Sequence, residues 1–199
     1  MIRLGDIATV ITKGTTPTSL GYEFTDSGVN FIKIESIADD GSFIPQKFAH
    51  ISDECNEKLK RSQLQENDIL FSIAGAIGKT AIVTQDVLPA NTNQALAIIR
   101  VNNKNINHQY LLSVLQSNLI YKQFEKQKQG VAQLNISLKN VSDLEIPIIP
   151  YEKQLEIVKM FNCIDSQISM QKEQINKLEL LKESLMQQYF GWGEKYEWK

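Results

Sequence analysis

The chain has 199 residues, of which 42% are hydrophobic and 22% charged, so it can bury a full core but holds little more than one domain and an appendage. Its 21 basic and 23 acidic residues give a formal net charge of -2, which excludes the strongly positive field of a histone-like protein. Any nucleic-acid surface must be a local basic face or be shared with a more basic partner. No apolar run approaches the roughly 20 residues that cross a bilayer, and the two cysteines are expected to be free thiols, so the sequence predicts a soluble cytoplasmic protein without a membrane partner.

Short runs rich in Ile, Val, Phe and Thr predict five strands in the first half of the chain. They cover residues 4–12, 30–37, 68–74, 79–84 and 94–101. Gly75 and Gly78, between the third and fourth runs, predict a tight hairpin with Lys79 at its mouth. Two long irregular stretches, 13–28 and 39–47, interrupt the strands, and loops of that length are usually functional or disordered.

From Asn107 the apolar period becomes helical and predicts one or two helices up to about Gln127, with a break near Asn118. The segment 144–150 carries two prolines and predicts an extended stretch that ends the first domain. We therefore expect a domain over residues 1–150, a long helix over 151–190 and a tail over 191–199.

The long helix carries an apolar seam typical of a coiled coil. Two rows of residues recur every seven positions, and seven of their nine members are apolar. The rows are Phe161, Ile168, Ile175, Lys182 and Tyr189, and Ile164, Gln171, Leu178 and Leu185. A lone helix of about 60 Å would leave this seam in water, so we predict that it packs against another helix, the alternative being that it folds back on its own domain.

The residues offer no catalytic constellation and no metal site. His50 and His108 lack a cysteine or acidic partner at ligand spacing, and the chain contains no Cys-x-x-Cys. The glycines at 75 and 78 are too close together for a Walker phosphate loop. We therefore expect no metal and no cofactor in this chain.

Five short motifs follow one another along the chain. They are Arg3–Ile7 with Lys13–Pro17, Asn67–Ser72 with Gly75–Lys79, Asn93–Gln94, Gly130–Ile136, and Ile146–Gln154. In this order, and ending in a coiled-coil helix, they resemble the specificity subunits of type I restriction-modification systems over residues 3 to about 190.

The resemblance implies an α+β fold, in which a mixed-sheet target-recognition domain with accessory helices precedes a long C-terminal coiled-coil helix. It implies a DNA sequence-specificity subunit without catalysis of its own. Modification subunits would methylate adenine N6 with S-adenosylmethionine, and a restriction subunit is a further partner. The usual member has two recognition domains and two spacer helices, whereas this chain has one of each, so it resembles a half-length subunit.

The half-length pattern leaves three arrangements open: a two-fold homodimer, a pair with another half, and a fragment of a longer chain. In a homodimer, two antiparallel helices would bury both seams and impose two-fold symmetry on the DNA site, which would be a split palindrome. Gln171 and Lys182, which are polar at seam positions, could fix register and orientation.

Candidate DNA contacts follow from the chemistry of phosphates and base edges, since ammonium, hydroxyl and backbone N–H groups hold phosphates and forked amides read bases. For Lys33 and Glu35, which would share one strand face, a surface ion pair is an alternative. For the glycines and amides the alternatives are an ordinary turn and turn capping. The candidates are Lys13, Thr15, Thr16, Ser19, Lys33, Glu35, Gly75, Gly78, Lys79, Asn91, Asn93, Gln94, Gln129, Gln133 and Asn135.

Two other classes of function compete with DNA recognition. The chain could be an enzyme with an unrecognised active site, against which the missing metal ligands and cofactor loop argue. It could also be a structural dimerisation protein, which would show the same coiled coil without sequence-dependent DNA binding.

Overall fold

The computed structural model describes residues 1–127 and 136–190, and the chain divides into two compact units, Met1–Leu155 and a second that begins at Glu156. The strands are β1 (Ile2–Arg3), β2 (Val10–Lys13), β3 (Val29–Ile32), β4 (Ala49–Ile51), β5 (Ile69–Ser72), β6 (Thr80–Ile82), β7 (Ala90–Thr92), β8 (Leu96–Arg100) and β9 (Glu145–Ile146). The α-helices are α1 (Leu4–Ile7), α2 (Asp53–Lys58), α3 (His108–Leu115), α4 (Asn118–Gln127), α5 (Leu138–Ser142) and α6 (Tyr151–Phe190).

The larger sheet of the first unit has the strand order β2-β8-β5-β6 and is antiparallel throughout. Leu70 and Ile98 point to one face, where they join a buried cluster with Ile32. On the other face the ring of Phe71 lies 5.7 Å from that of Phe124 in α4. Because both faces are covered, all four residues of β5 are buried without alternation, as in strands buried on both sides.

The smaller sheet has the order β4-β3-β7, with β3 antiparallel to β4 and parallel to β7. Phe31 and Ile51 on these strands pack with Cys55 and Leu59 of the α2 region in a second buried cluster. Ser52 begins α2 by accepting a hydrogen bond from the backbone N–H of Cys55, as an N-cap serine does. The predicted mixed sheet is therefore confirmed.

Most of the predicted elements are present. Strands β5, β6 and β8 lie within the predicted runs 68–74, 79–84 and 94–101, and β5 and β6 form the predicted hairpin. Helices α3 and α4 fill the helical stretch, and the break between them, residues 116–117, immediately precedes Asn118. Helix α6 runs from Tyr151 to Phe190, the predicted bounds, and β9 lies in the predicted extended segment.

Two strand predictions are partly wrong. Residues 4–7 form helix α1, in which Leu4 and Ile7, three positions apart, are both buried on the inner side. Residues 34–36 form a 3-10 turn closed by a hydrogen bond from the Ile37 N–H to the Ile34 carbonyl, so the strand predicted over 30–37 ends at Ile32. Short β4, β7 and α2 lie where the sequence predicted no element.

In residues 1–127 and 136–190, no helix is both long enough and apolar enough to cross a bilayer.

Candidate nucleic-acid interface

Several loops leave the four-stranded sheet at one end. Lys13, the last residue of β2, pairs with Ala97 near the start of β8, and Ser72 at the end of β5 pairs with Leu96. Strand β6 begins at Thr80 beside the end of β5. The turns that follow β2 and β5 and precede β6 and β8 therefore converge.

The smaller sheet adds one more loop to the same place. Because β3 and β7 are parallel and Ile32 pairs with Thr92, both strands end together, just before the turn that leads into β8. The Thr92 hydroxyl donates a 2.8 Å hydrogen bond to the Ile32 carbonyl. We call the convergent surface, residues 13–21, 33–36, 73–79 and 93–95, the loop edge.

Gly14 allows two of these loops to touch. Its N–H donates to the Asn93 carbonyl at 3.1 Å, and a Cβ at this position would lie 1.7 Å from the Thr92 carbonyl oxygen. Two residues on, the Thr16 hydroxyl donates to Oε1 of Gln94 at 2.7 Å. The structure thus brings the first group of predicted contacts together with the predicted Asn93–Gln94 pair.

The first loop presents hydroxyl and ammonium groups. Lys13 is exposed, and in the described part of the chain no ion-pair partner lies beside it. Ser19 is exposed on the 3-10 turn Pro17–Leu20, where its hydroxyl donates to the Thr16 carbonyl, and Thr15 is half-buried. Lys13 and Thr15 have the chemistry to donate to a phosphate oxygen, whereas the single hydroxyl proton of Ser19 is engaged with the Thr16 carbonyl.

The hairpin between β5 and β6 reverses at its glycines. Gly75 and Gly78 have φ angles of 69° and 89°, which favour glycine. Lys79 donates to the Ile37 carbonyl at 2.8 Å and pairs with Asp39 at 3.1 Å. Its ammonium therefore positions the segment after the 3-10 turn and retains one of its three donors for any other contact.

Lys33 and Glu35 do not share a strand face, because Glu35 lies in the 3-10 turn. That part of the prediction is wrong, and the two side chains do not form the alternative ion pair in the described structure. The Lys33 ammonium lies 4.4 Å from the ring centroid of Phe24, and Glu35 is exposed. Phe24 was not among the residues predicted from the sequence, because only the fold brings this aromatic side chain of the loop beside Lys33.

Asn91 lies in the core. Its side chain is completely buried, donates to Oδ1 of Asn56 and to the Leu59 carbonyl, and accepts from the Thr92 N–H. These bonds tie β7 to α2, and the burial contradicts the prediction that Asn91 reads a base. Gln129, Gln133 and Asn135 lie outside the described residues; Ile136, which follows them, donates its N–H to the Ile73 carbonyl.

The remaining side chains define what the loop edge can bind. Asn93 and Gln94 carry amides, Glu35 can accept from an amino group, and Lys13 supplies an unpaired positive charge. Nowhere in residues 1–127 and 136–190 do three His, Cys, Asp or Glu side chains gather at a spacing that holds a metal ion. The groups fit recognition of a polar, negatively charged polymer.

The nine seam residues of α6 form one stripe along the helix, and all of them are exposed. Its apolar side chains are between 43% exposed at Leu185 and 64% exposed at Leu178, and the polar members Gln171 and Lys182 are also exposed. Exposed apolar side chains in such a continuous stripe mark an interaction surface.

Comparison with known proteins gives a consistent result. Residues 1–180 match the family model described as "Type I restriction modification DNA specificity domain". The chain is 30% identical over 151 residues to the type I restriction enzyme EcoBI specificity subunit of Escherichia coli, a match that covers 75% of this chain and 31% of that protein.

Solved structures show the same fold. A chain from a study of complex assembly and conformational transition of the type I R-M system matches with a TM-score of 0.70 and 24% identity, over 94% of this chain and 43% of its own. The HsdS subunit from Thermoanaerobacter tengcongensis matches with a TM-score of 0.68 and 18% identity, over 94% of this chain and 47% of its own. The chain thus spans less than half the length of these proteins.

Proposed function

The chain belongs to the type I restriction-modification DNA specificity family, and from this premise we propose that it is the subunit that selects the DNA sequence for such a complex. It acts in the cytoplasm as a non-catalytic reader of double-stranded DNA. Adenine-N6 methylation, which uses S-adenosylmethionine, belongs to partner modification subunits, and cleavage belongs to a restriction subunit.

The convergence at the loop edge carries this proposal. Four segments that are far apart in sequence meet at one end of two sheets, and they bring hydroxyls, amides and an unpaired ammonium onto one surface. A rigid sheet that presents polar loops is a suitable support for reading bases, because base readout needs side chains held in fixed positions.

The loop-edge residues divide into two roles. Lys13 and Thr15, with the backbone N–H of Gly75, hold phosphates. The predicted donors of Ser19 and Gly78 instead bind the carbonyls of Thr16 and Ser72, so these two residues shape the loops. Asn93, Gln94 and Glu35 face base edges, since amides suit adenine and a carboxylate accepts from the cytosine amine. Gln129, Gln133 and Asn135 stay with this second group as a prediction from sequence.

The exposed seam of α6 supports a homodimer. Two antiparallel helices would bury both seams and generate two-fold symmetry, so that two loop edges read the two halves of a split palindrome. A net charge of -2 gives each copy little general attraction to DNA, so the modification subunits supply much of the phosphate contact.

The test is selection of DNA by the protein purified together with its modification subunits. A pool of duplexes with randomised positions should yield a split palindrome. Lys13→Gln should weaken binding to all sequences and lower the salt slope by about one, whereas Gln94→Ala should relax the choice of base.

Lys104→Gln is the matched control, because exposed Lys104 follows the far end of β8, away from the loop edge. It should leave affinity and sequence preference unchanged. Retained binding without enrichment of any sequence, or loop-edge variants that behave like the Lys104 control, would contradict the proposed function.

A further inference from the structure

We propose that two copies of this chain pair their α6 helices antiparallel in one register, in which Gln171 of each copy faces Lys182 of the other. The inference rests on the homodimer of the proposed function and specifies how that dimer is aligned. It follows from the order of polar and charged residues along the exposed seam.

An antiparallel coiled coil pairs the two seam rows with each other, so the choice of register is limited to steps of seven residues. In the proposed register the two polar seam residues share a layer and every other layer is apolar. Its layers are Ile164 with Tyr189, Ile168 with Leu185, Gln171 with Lys182, and Ile175 with Leu178.

The neighbouring registers bury polar groups against apolar ones. A shift of one step in one direction sets Lys182 against Ile164 and Gln171 against Ile175. A shift in the other direction sets Lys182 against Leu178. A buried ammonium or amide without a hydrogen-bond partner is costly, so both alternatives are disfavoured.

Charges beside the seam select the same register independently. Lys172 and Glu179 each follow a seam residue by one position and flank the same edge of the stripe. In the proposed register Lys172 of one copy lies beside Glu179 of the other, twice by symmetry. In one neighbouring register Lys172 lies beside Lys172 of the other copy, and in the other neighbouring register Glu179 lies beside Glu179. Both pairs carry like charges, which repel.

These two charges are available for such a pairing. Lys177 forms an ion pair within the helix with Glu173 at 2.6 Å, whereas Lys172 and Glu179 have no ion-pair partner in residues 1–127 and 136–190. A parallel dimer would place Lys182 against Lys182 in the seam and would leave Lys172 beside a glutamine, so the charges also select the antiparallel direction.

The surface of α6 has a groove where the proposed register places side chains of the second copy. A groove of about 280 Å³ lies on the last three turns, lined by Leu178, Leu181, Lys182, Leu185, Met186, Tyr189 and Phe190. In the proposed register Ile164 and Ile168 of the second copy face this groove. Burial of these two side chains removes apolar surface from water and so favours this register.

The register determines the distance between the two copies' Tyr151 residues along the helix pair. The two-fold axis lies between residues 176 and 177, so residues 163–190 of the two copies overlap over about 42 Å, and the two Tyr151 residues lie about 76 Å apart along the pair. A slip of one step changes that distance by about 10 Å, equivalent to about three base pairs of DNA. A fixed spacing between the two DNA half-sites therefore requires that the helices pair in a single register.

The experiment is disulfide cross-linking of the full chain in a Cys163→Ser background, which removes the exposed native thiol. The I168C/L185C variant should form a covalent dimer on mild oxidation, because these positions share a layer of the proposed register. The matched F161C/L185C variant, which pairs only after a slip of one step, should remain uncrosslinked. I168C alone should also remain uncrosslinked, because the two Ile168 positions lie about 25 Å apart in the proposed pair and meet only in a parallel one.

Charge variants and solution mass complete the test. E179K should raise the dimer dissociation constant by about tenfold, and K172E/E179K should restore it. Cross-linking of F161C/L185C, or of I168C alone, in a protein that light scattering shows to be dimeric would overturn the register and leave the homodimer in place. A monomeric wild-type chain would overturn both the register and the homodimer.

Discussion

Arg100 donates two parallel hydrogen bonds to Asp68, from Nε to Oδ1 and from Nη2 to Oδ2, both at 2.7 Å. Asp68 is completely buried and also accepts from the Gln65 N–H. Arg100 ends β8 and Asp68 immediately precedes β5, so the pair lies at the end of the sheet opposite the loop edge.

Removing the charge of Asp68 should destabilise the first unit strongly. Asp68→Asn keeps the shape but leaves the Arg100 guanidinium with no carboxylate in a site where it is largely buried. We expect the free energy of unfolding to fall by about 3 kcal/mol, measured by urea denaturation. The neighbouring exposed change Glu66→Gln should alter it by less than about 0.5 kcal/mol. Equal effects of the two changes would show that the pair does not stabilise the fold.

Gly14 should not tolerate a side chain. Gly14→Ala places a methyl group against the Thr92 carbonyl, so the first loop must move away from the Asn93 turn. We expect a loss of about 2 kcal/mol or more in the free energy of unfolding, measured by thermal denaturation.

Gly78→Ala is the control for Gly14→Ala, because Gly78 has a positive φ but open space around it. It should cost about 1 kcal/mol, the strain of the left-handed backbone alone. A Gly14 variant that is no less stable than the Gly78 variant would mean that the two loops separate without cost.

Gln154 satisfies three backbone groups at once in the first unit. Its Nε2 donates to the carbonyls of Asn105 and Ile149, and its Oε1 accepts from the Asn107 N–H, all at 2.9 Å. Gln154→Leu should lower the free energy of unfolding by about 2 kcal/mol, because buried backbone groups lose their partners. Glu152→Gln, an exposed change two residues away, should have little effect, and a similar loss in both variants would refute this role.

The two thiols should differ in reactivity. Burial raises the pKa of the Cys55 thiol, so at neutral pH this group stays protonated and shielded, whereas Cys163 is exposed on α6. A colorimetric thiol reagent should titrate one rapid thiol per native chain and two after denaturation. Rapid reaction of both in the native chain would show that α2 opens readily.

Elements with a strong local signal were predictable from the sequence. The β-branched runs of β5, β6 and β8 and the glycine-free helix α6 each carry their own signal. Residues 4–7 were misassigned because four residues are too few to distinguish a helical period from a strand. Strands β4 and β7 have three residues each and are specified by their partner β3.

The candidate site was predictable as a set of residues but not as a surface. Glycines, amides and threonines in loops mark Gly14, Thr16 and Gln94 individually. Their meeting depends on the antiparallel pairing of β2 with β8 and the parallel pairing of β3 with β7, which are contacts between distant parts of the chain. Asn91 shows the converse, since an amide that looked free in the sequence is enclosed by α2.

The placement of the Arg100–Asp68 pair and the loop edge at opposite ends of the same strands makes the domain a natural scaffold for protein engineering. Lys13, Ser19 and Glu35 are exposed, so their replacement removes no buried contact. A combinatorial library that varies these positions while keeping Gly14 should therefore consist mostly of folded members. Under the proposed function, such a library allows new DNA preferences to be selected directly, without a search for compensating mutations in the core.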